Sequence, residues 1–533
     1  MSGAAAHPKS SLRRWQKSSL EALEHWPGGP FLISAAPGAG KTRPALELAR
    51  RLLRQRTVTR VAVLCPTAPL TRQWAAASAR MGVHLAPDSA NPRPPRDFQG
   101  VAVTYSRVAS APERWARGGS SATLVIADEA HHLGEDLSWG MSFSQAFRDA
   151  PRWLLLSGTP FRSDATPIPG VRYDSDGLAV PDVSYTYAEA VREGVCRPVA
   201  FVTYDGSLSW RSGEDVIDSS FEMVLPAREA ARRYRTAIST ELPDGLPRIL
   251  READAKLTHL RAEGHRDAGG LVVASDGAHA RRVARLLSEA TGRMPVVVLH
   301  TEARAAQKLA AFASSREPWL VAVNMVSEGV DIPRLRVGVY ATAAKTPLVF
   351  RQIVGRFVRT LPGCPAEPSW LYLPADPLLR LHAAEVEGEL RRALRRSDPD
   401  EVAEERAAQR SDPQEQSAFL PLSADVAPQM TLFGPAPGAP GGPPAPVSAT
   451  VSIERASDAE PIGGAPAMWE RRAQLRERRH RLVADLRRRD GASHREINLW
   501  LNRSVGVSRV DDATVAQLER SVELLLRRLA ARS

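Results

Sequence analysis

The sequence predicts an α/β protein of two tandem parallel-sheet domains, followed by an unfolded linker and a small α-helical module. Three observations predict it. An apolar strand, a glycine-rich turn and an amphipathic helix succeed one another over Phe31 to Arg54, reading FLISAAPGAGKTRPALELARRLLR. Short apolar strands then alternate with helical segments as far as Leu373, the pattern of a sheet covered on both faces. Residues 398–467 are dominated by Pro, Gly, Ala and Ser, a composition that cannot bury a core and reads as a disordered tether. The divisions expected are a first domain at 1–165, a connector at 166–197, a second domain at 198–397, the linker at 398–467 and a basic helical module at 468–533.

Composition narrows the class. With 71 Lys and Arg against 60 Asp and Glu, the net charge is +11, which suits a partner that is a polyanion. Lysine is rare, so its presence as Lys41 inside a glycine turn stands out. The 3 cysteines, Cys65, Cys196 and Cys364, form no C-x-x-C pair, which points away from a zinc knuckle or disulfide framework and suits a reducing cytoplasm. No run reaches the roughly 18 apolar residues of a membrane span, and MSGAAAHPKSSLRRW lacks the apolar core of an export signal, so no membrane is expected.

The turn Pro37-Gly38-Ala39-Gly40-Lys41-Thr42 reads as a phosphate-binding loop. Its glycines let successive N–H groups face one concavity at the positive end of the following helix. Lys41 would reach the β- and γ-phosphates of ATP, and Thr42 would put its hydroxyl on Mg²⁺. Ala35 stands where the general motif has Gly, giving the narrower Ala-x-x-Gly-x-Gly-Lys-Thr form. Strands follow at Val61 to Leu64 and Val101 to Val103, and then Thr123 to Asp128 delivers Asp128-Glu129-Ala130-His131 at its tip. Asp128 would hold Mg²⁺ through its water shell, while Glu129 could take a proton from attacking water. A further strand, Trp153 to Leu156, ends in Ser157-Gly158-Thr159-Pro160.

In the second domain, helices are expected over about 221–265, then strands at Leu271 to Ala274, Val296 to Leu299, Leu320 to Val323, Val337 to Tyr340 and Leu371 to Leu373. Val326 to Pro333 (VSEGVDIP) sets Gly329 in a tight turn and presents Asp331 to a ribose or a partner Arg. In Phe350 to Arg359 (FRQIVGRFVR), Arg356 and Arg359 are three apart, hence expected on one helical face, as two arginine fingers for a γ-phosphate. Pro243-Asp244 with Asp254-x-Lys256 spells a nuclease-like pattern, but that chemistry needs carboxylates on adjacent strands and the surroundings read helical.

These motifs together resemble the superfamily 2 helicases and translocases of DEAD/DEAH-box type, nearest the helicase (Res) subunit of type III restriction enzymes, over about Leu12 to Leu373. The resemblance implies two RecA-like P-loop NTPase lobes with ATP and Mg²⁺ in the cleft, and catalysis by Lys41, Asp128, Glu129, Gln352, Arg356 and Arg359. It gives Gln16 to the adenine, Gly329 and Asp331 to the nucleotide, and His131, Ser157 and Thr159 to coupling. Thr67, Arg72, Thr104 and Tyr105 fall at strand ends that hold a nucleic-acid backbone. The Ser-Gly-Thr-Pro wording favours DNA over RNA. An RNA helicase, a nucleic-acid-triggered ATPase switch and the motor of a restriction or phage-defence complex remain open. The Arg-rich module would bind nucleic acid, with Trp500 stacking on a base, or a protein partner.

Overall fold

A computed structural model describes residues 12–530 except 119, 159–166, 176, 213–214, 300, 303, 324–331, 361–367, 396–419 and 429–466. The chain divides into two compact units. One comprises Met1–Ser34, Gly40–Ser184 and Ala459–Ser533; the other comprises Ala35–Ala39 and Tyr185–Asp458. Both are the parallel-sheet α/β domains of tandem RecA-like lobes.

In the first unit the strands are β1 (Gly29–Ala35), β2 (Arg60–Cys65), β3 (Leu85–Pro87), β4 (Gly100–Thr104), β5 (Thr123–Asp128) and β6 (Arg152–Ser157). After them come a two-stranded pair, β7 (Arg172–Tyr173) with β8 (Ala179–Val180), and β9 (Val183–Tyr185). The main sheet runs β3-β4-β2-β5-β6-β1-β9, and every pair from β3 to β1 is parallel. Its middle strands carry apolar residues on both faces: Leu124, Val125, Ile126 and Leu154 are fully buried. Parallel pairing sends all C-terminal ends to one edge, so the phosphate loop, Thr67, Thr104, Asp128 and Ser157 line that edge because of strand direction alone. The stretch expected as a plain connector thus contributes β9 to this sheet, together with a helix, Tyr187–Arg192, whose capping box is built by Thr186 and Glu189.

The second unit has β10 (Val199–Ser212), β11 (Asp215–Ser219), β12 (Gly269–Ala274), β13 (Val296–Val298), β14 (Trp319–Val323), β15 (Leu335–Ala341), β16 (Ser369–Pro374) and β17 (Leu420–Pro428). Their order is β11-β10-β16-β15-β12-β14-β13. The core from β10 to β13 is parallel, whereas β11 and β17 both pair antiparallel with the far half of the long β10. Two expectations change here. Val199–Ser212 and Asp215–Ser219 form a strand pair that the helical reading left unassigned, and the Pro-rich linker holds a nine-residue strand, β17, added to β10. Asp254 and Lys256 lie in the helix Leu246–Ala262, where Asp254 accepts the Trp319 indole N–H at 2.7 Å and Lys256 sits over the Trp370 ring, so no nuclease arrangement exists there.

The C-terminal module is three α-helices, Met468–Asp490, His494–Val505 and Val515–Ala530, around Val483, Leu486, Ile497, Leu501 and Leu525. Ser493 and Glu496 form a capping box. Asp511 and Asp512 belong to a short 3₁₀ turn, and the last helix starts after them, at Val515. Trp500 is not open for stacking: it is half-buried, with the Arg528 guanidinium 4.8 Å from its ring centroid. The module is also docked. Met468 and Trp469 pack against the first unit's core cluster, which contains Ala86 and Phe98, and the Val515 N–H donates to Asp97 at 2.8 Å.

Removing the half-buried Trp469 side chain loses part of the 3–5 kcal/mol of a core Trp→Ala change, about 2 kcal/mol, or roughly 4–8 °C for a domain of this size. Trp469→Ala is therefore expected to lower the melting temperature of the first unit by that amount and to speed amide exchange in β3. Unchanged exchange along β3 in the variant would show that the docking contributes nothing.

Candidate nucleotide site

The loop after β1 turns where the sequence permits it. Gly38 and Gly40 have φ of +80° and +88°, a region a side chain rarely tolerates. A Cβ on Gly40 would also stand 3.0 Å from Gln16 Nε2. Lys41 and Thr42 then start the helix Thr42–Arg54. Pro37 and Ala39 complete the turn, Ala39 being fully buried. Gln16, buried in the helix Arg14–Glu24, donates from Nε2 to the Gly40 carbonyl at 3.0 Å and accepts the Arg13 N–H through Oε1 at 3.0 Å. Its amide thus holds the loop itself.

At the tip of β5, Asp128 is almost fully buried. Its Oδ2 accepts the Trp74 indole N–H at 2.7 Å and its Oδ1 accepts the Glu129 N–H at 3.1 Å. Glu129 has φ of +52°, so the chain leaves the strand through a left-handed residue and swings this carboxylate aside. Glu129 Oε1 meets Lys41 Nζ at 3.2 Å, and Oε2 lies 3.6 Å from His131 Nδ1. His131, also buried, shares a hydrogen bond of 2.9 Å between Nδ1 and Ser157 Oγ. One continuous set of contacts therefore runs from the phosphate loop through both acids to the end of β6.

Two acids and one ammonium set the electrostatics. Burial first, and the Glu129 charge second, push the Asp128 carboxyl up to about 6. Burial is the largest influence on Glu129 and would raise it, but the charge and hydrogen bond of Lys41 together with His131 and His132 outweigh it and hold Glu129 at about 2. Asp128 is consequently a carboxylate short of positive charge, at the same sheet edge as the loop whose helix the hydroxyl-bearing Thr42 opens. That fits a hard cation with oxygen ligands, and Mg²⁺ commonly uses one or two carboxylates plus substrate phosphates. Among the described residues no three His, Cys, Asp or Glu side chains gather into an all-protein metal cage.

Several residues assigned from sequence have different surroundings. Tyr105 is 1% exposed and its hydroxyl donates to the Asp128 carbonyl at 2.7 Å, so it braces β5 and offers nothing to a nucleic acid. Arg72 is exposed but pairs with Asp88 at 3.1 Å, and the Thr104 hydroxyl caps its own helix by accepting the Arg107 N–H. Thr67 opens the helix Ala68–Arg80 with no side-chain cap, and its buried hydroxyl has no hydrogen-bond partner. Sequence reasoning missed Trp74 and Tyr105 as supports of Asp128. A Trp N–H and a Tyr O–H in apolar segments were the available signal, since each needs an acceptor when buried.

In the second unit Gln352 lies half-buried in the helix Pro347–Val354. That helix ends before the arginines, so Arg356 and Arg359 do not share a helical face. Arg356 sits in a tight turn, its N–H donating to the Ile353 carbonyl, while Arg359 forms an antiparallel bridge with Cys196. Buried Arg197 fixes this strand-like piece, Nε donating to the Arg359 carbonyl at 2.6 Å and N–H to the Val358 carbonyl at 2.7 Å. Thr159, Gly329 and Asp331 lie outside the described residues.

A loop of this geometry facing an Asp-Glu strand tip, in the first of two parallel-sheet lobes, defines a helicase-type ATPase. The chain belongs to the superfamily 2 helicases related to the Res subunit family: the profile "Type III restriction enzyme, res subunit" matches residues 9–162 and "Helicase conserved C-terminal domain" matches residues 254–360. It is 42% identical over 424 residues to the uncharacterized protein Rv2917 of Mycobacterium tuberculosis, covering 78% of this chain and 67% of that one. Among solved structures it is similar to the ATP-dependent type ISP restriction-modification enzyme LlaBIII bound to DNA, with 16% identity, TM-score 0.45 and coverage of 74% and 30%. A fragment of an HsdR subunit of a type I restriction enzyme from Vibrio vulnificus YJ016 gives 18% identity, TM-score 0.48 and coverage of 70% and 65%. The chain thus spans less than a third of LlaBIII.

The Asp128 environment makes a stability prediction. Its folded pKa lies above the usual value, so the unfolded chain releases this proton first and stability falls as pH rises from about 4 to 6. Asn at 128 removes the uncompensated charge. About two pKa units correspond to roughly 3 kcal/mol; losing the bond to the Glu129 N–H costs about 1, leaving a gain on the order of 2 kcal/mol. Asp128→Asn should melt higher than wild type above pH 6, with the gap closing towards pH 4. A lower melting temperature at pH 8 would contradict this account of the site.

Proposed function

We propose that this protein hydrolyses ATP to move along nucleic acid, DNA ahead of RNA. The observation that carries the reading is the Lys41–Glu129 pair. The natural partner of an ammonium in such a loop is a phosphate, which offers more negative charge than one carboxylate. Arrival of ATP therefore competes for Lys41 and releases Glu129. Freed of its neutralising neighbour, Glu129 becomes a stronger base for the proton of an attacking water. His131, against the other carboxylate oxygen and hydrogen-bonded to Ser157, passes that change to the end of β6. Asp128 and Thr42 would hold Mg²⁺, which when bound neutralises charge on the phosphate oxygens. Arg356 and Arg359 act as the arginine fingers that stabilise the transferring phosphoryl group, and Gln16 steadies the loop with the adenine as its further partner.

On the nucleic-acid side, the uncapped helix start at Thr67 supplies backbone N–H groups and a hydroxyl, the chemistry that binds phosphate without reading bases, and exposed Arg72 adds charge. The preference for DNA rests on the Ser-Gly-Thr wording after β6 and on the Res-type family. Among the described residues no helix is long and apolar enough to cross a membrane.

The test is the steady-state ATPase rate with single-stranded DNA, duplex DNA and RNA, followed by triplex displacement for movement. DNA stimulation with displacement supports the proposal; stimulation by RNA alone overturns the substrate, and stimulation without displacement overturns translocation. Lys41→Ala is expected to abolish hydrolysis and weaken nucleotide binding, whereas Glu129→Gln should keep binding and stop turnover. Wild-type turnover by Glu129→Gln would sink the base assignment. Arg356→Ala should lower turnover by roughly 10³-fold or more with nucleotide affinity nearly intact, and a parallel loss of affinity would instead assign it to ground-state binding.

A further inference from the structure

We infer that the C-terminal module carries a second site for a nucleic-acid backbone, a basic patch formed by Arg478, Arg481 and Arg495 on the two helices that Arg479 joins. The inference rests on the nucleic-acid motor reading and adds a surface to it. Arg479 is 5% exposed, and its guanidinium donates to two amide oxygens one helical turn apart, Asn498 Oδ1 at 2.8 Å and Asn502 Oδ1 at 3.1 Å. A guanidinium buried this far usually faces a carboxylate. Here only dipoles answer it, so no carboxylate cancels its charge and the module keeps a net positive interior.

That surface is basic as well. The His480 and His494 rings stand 5.7 Å apart where the first two helices of the module meet, and the exposed Arg478, Arg481 and Arg495 lie within two residues of one or the other in sequence. Of the nearby carboxylates, Glu496 accepts the Ser493 N–H at 2.8 Å as a cap, and Glu477 pairs with Arg481 itself at 2.6 Å, an exposed ion pair weak enough for a phosphate to displace. The module packs on the first unit's edge strand β3, whose end carries Asp88, the residue that holds Arg72 and Thr71. The patch therefore belongs to the same unit as the strand ends expected to hold a backbone.

The chemistry favours a polyanion over a protein surface. Protein interfaces centre on aromatic or large apolar anchors. Among the described residues the module's exposed large apolar side chains are Leu499 and Leu526 only, and Trp500 is capped by Arg528. Spread guanidiniums without an apolar centre are what a phosphate chain uses.

The test is the triple variant R478Q/R481Q/R495Q in the full chain, which leaves every residue assigned to ATP hydrolysis in place. Binding of a fluorescein-labelled single strand, and of the same sequence as duplex, is followed by anisotropy between about 50 and 200 mM salt. Each lost phosphate contact should remove about 0.9 from the slope of log K against log salt for duplex and about 0.7 for single strands, so the slope should flatten by roughly 2–3 and affinity at low salt should fall by at least about tenfold. Melting temperature and ATPase turnover at saturating nucleic acid should match wild type. Steep binding by wild type with an identical slope in the variant overturns the patch alone, whether it then proves to hold an acidic protein or nothing. Failure of wild type to bind nucleic acid at any salt overturns the motor reading and the patch together.

Discussion

The first unit depends on a shortage of positive charge. Two consecutive carboxylates emerge at the end of a central strand, and one ammonium stands between them and the phosphate loop. Hydrogen bonds from Trp74 and from the Glu129 amide hold Asp128 in a position where burial alone would protonate it, and the Tyr105 hydroxyl pins the carbonyl behind it. The strained φ of Glu129 keeps the second carboxylate off the first and on Lys41. Such an arrangement is stable enough to persist but retains an appetite for a cation and for a better partner for Lys41. The folded chain thereby carries unrelieved charge at the edge where its phosphate loop lies.

Much of this was legible because it lies in contiguous segments. The strand, glycine turn and helix around Lys41 follow from local rules, as does the buried strand delivering Asp128, and parallel pairing then brings their ends to one edge whatever the loops do. The supports of the site were not legible. Trp74 reaches Asp128 across 54 positions, Arg197 reaches the Arg359 carbonyl across 162, and neither pairing leaves a periodic trace. The arginine spacing illustrates the opposite error. Three residues apart implies one face only within a helix, and Gly355 ends the helix first. Tyr105 was misread for a related reason: a strand end faces solvent on average, but this ring turns inward beneath β5.

The tail shows where composition misleads. Proline and glycine around 398–467 describe a chain unable to fold alone, yet Leu420–Pro428 needs no core of its own, because β10 supplies a ready edge of N–H and C=O groups. The module likewise has its own small core and still covers part of another, through Met468 and Trp469. Charge and hydropathy of a segment set what it can do alone. They do not reveal which distant surface will take it in.

That docking has a consequence for the making of the protein. Phe98 and its neighbours leave the ribosome about 370 residues before Trp469, which packs on their cluster. At roughly 5–20 residues per second the wait is on the order of 20–70 s. Throughout it the edge of the first sheet at β3 is uncovered, and an uncovered strand edge is a template for other nascent chains. The first unit is thus finished only once the module hundreds of residues behind it has been made, and its sensitivity to translation speed and chaperones is set by that later segment.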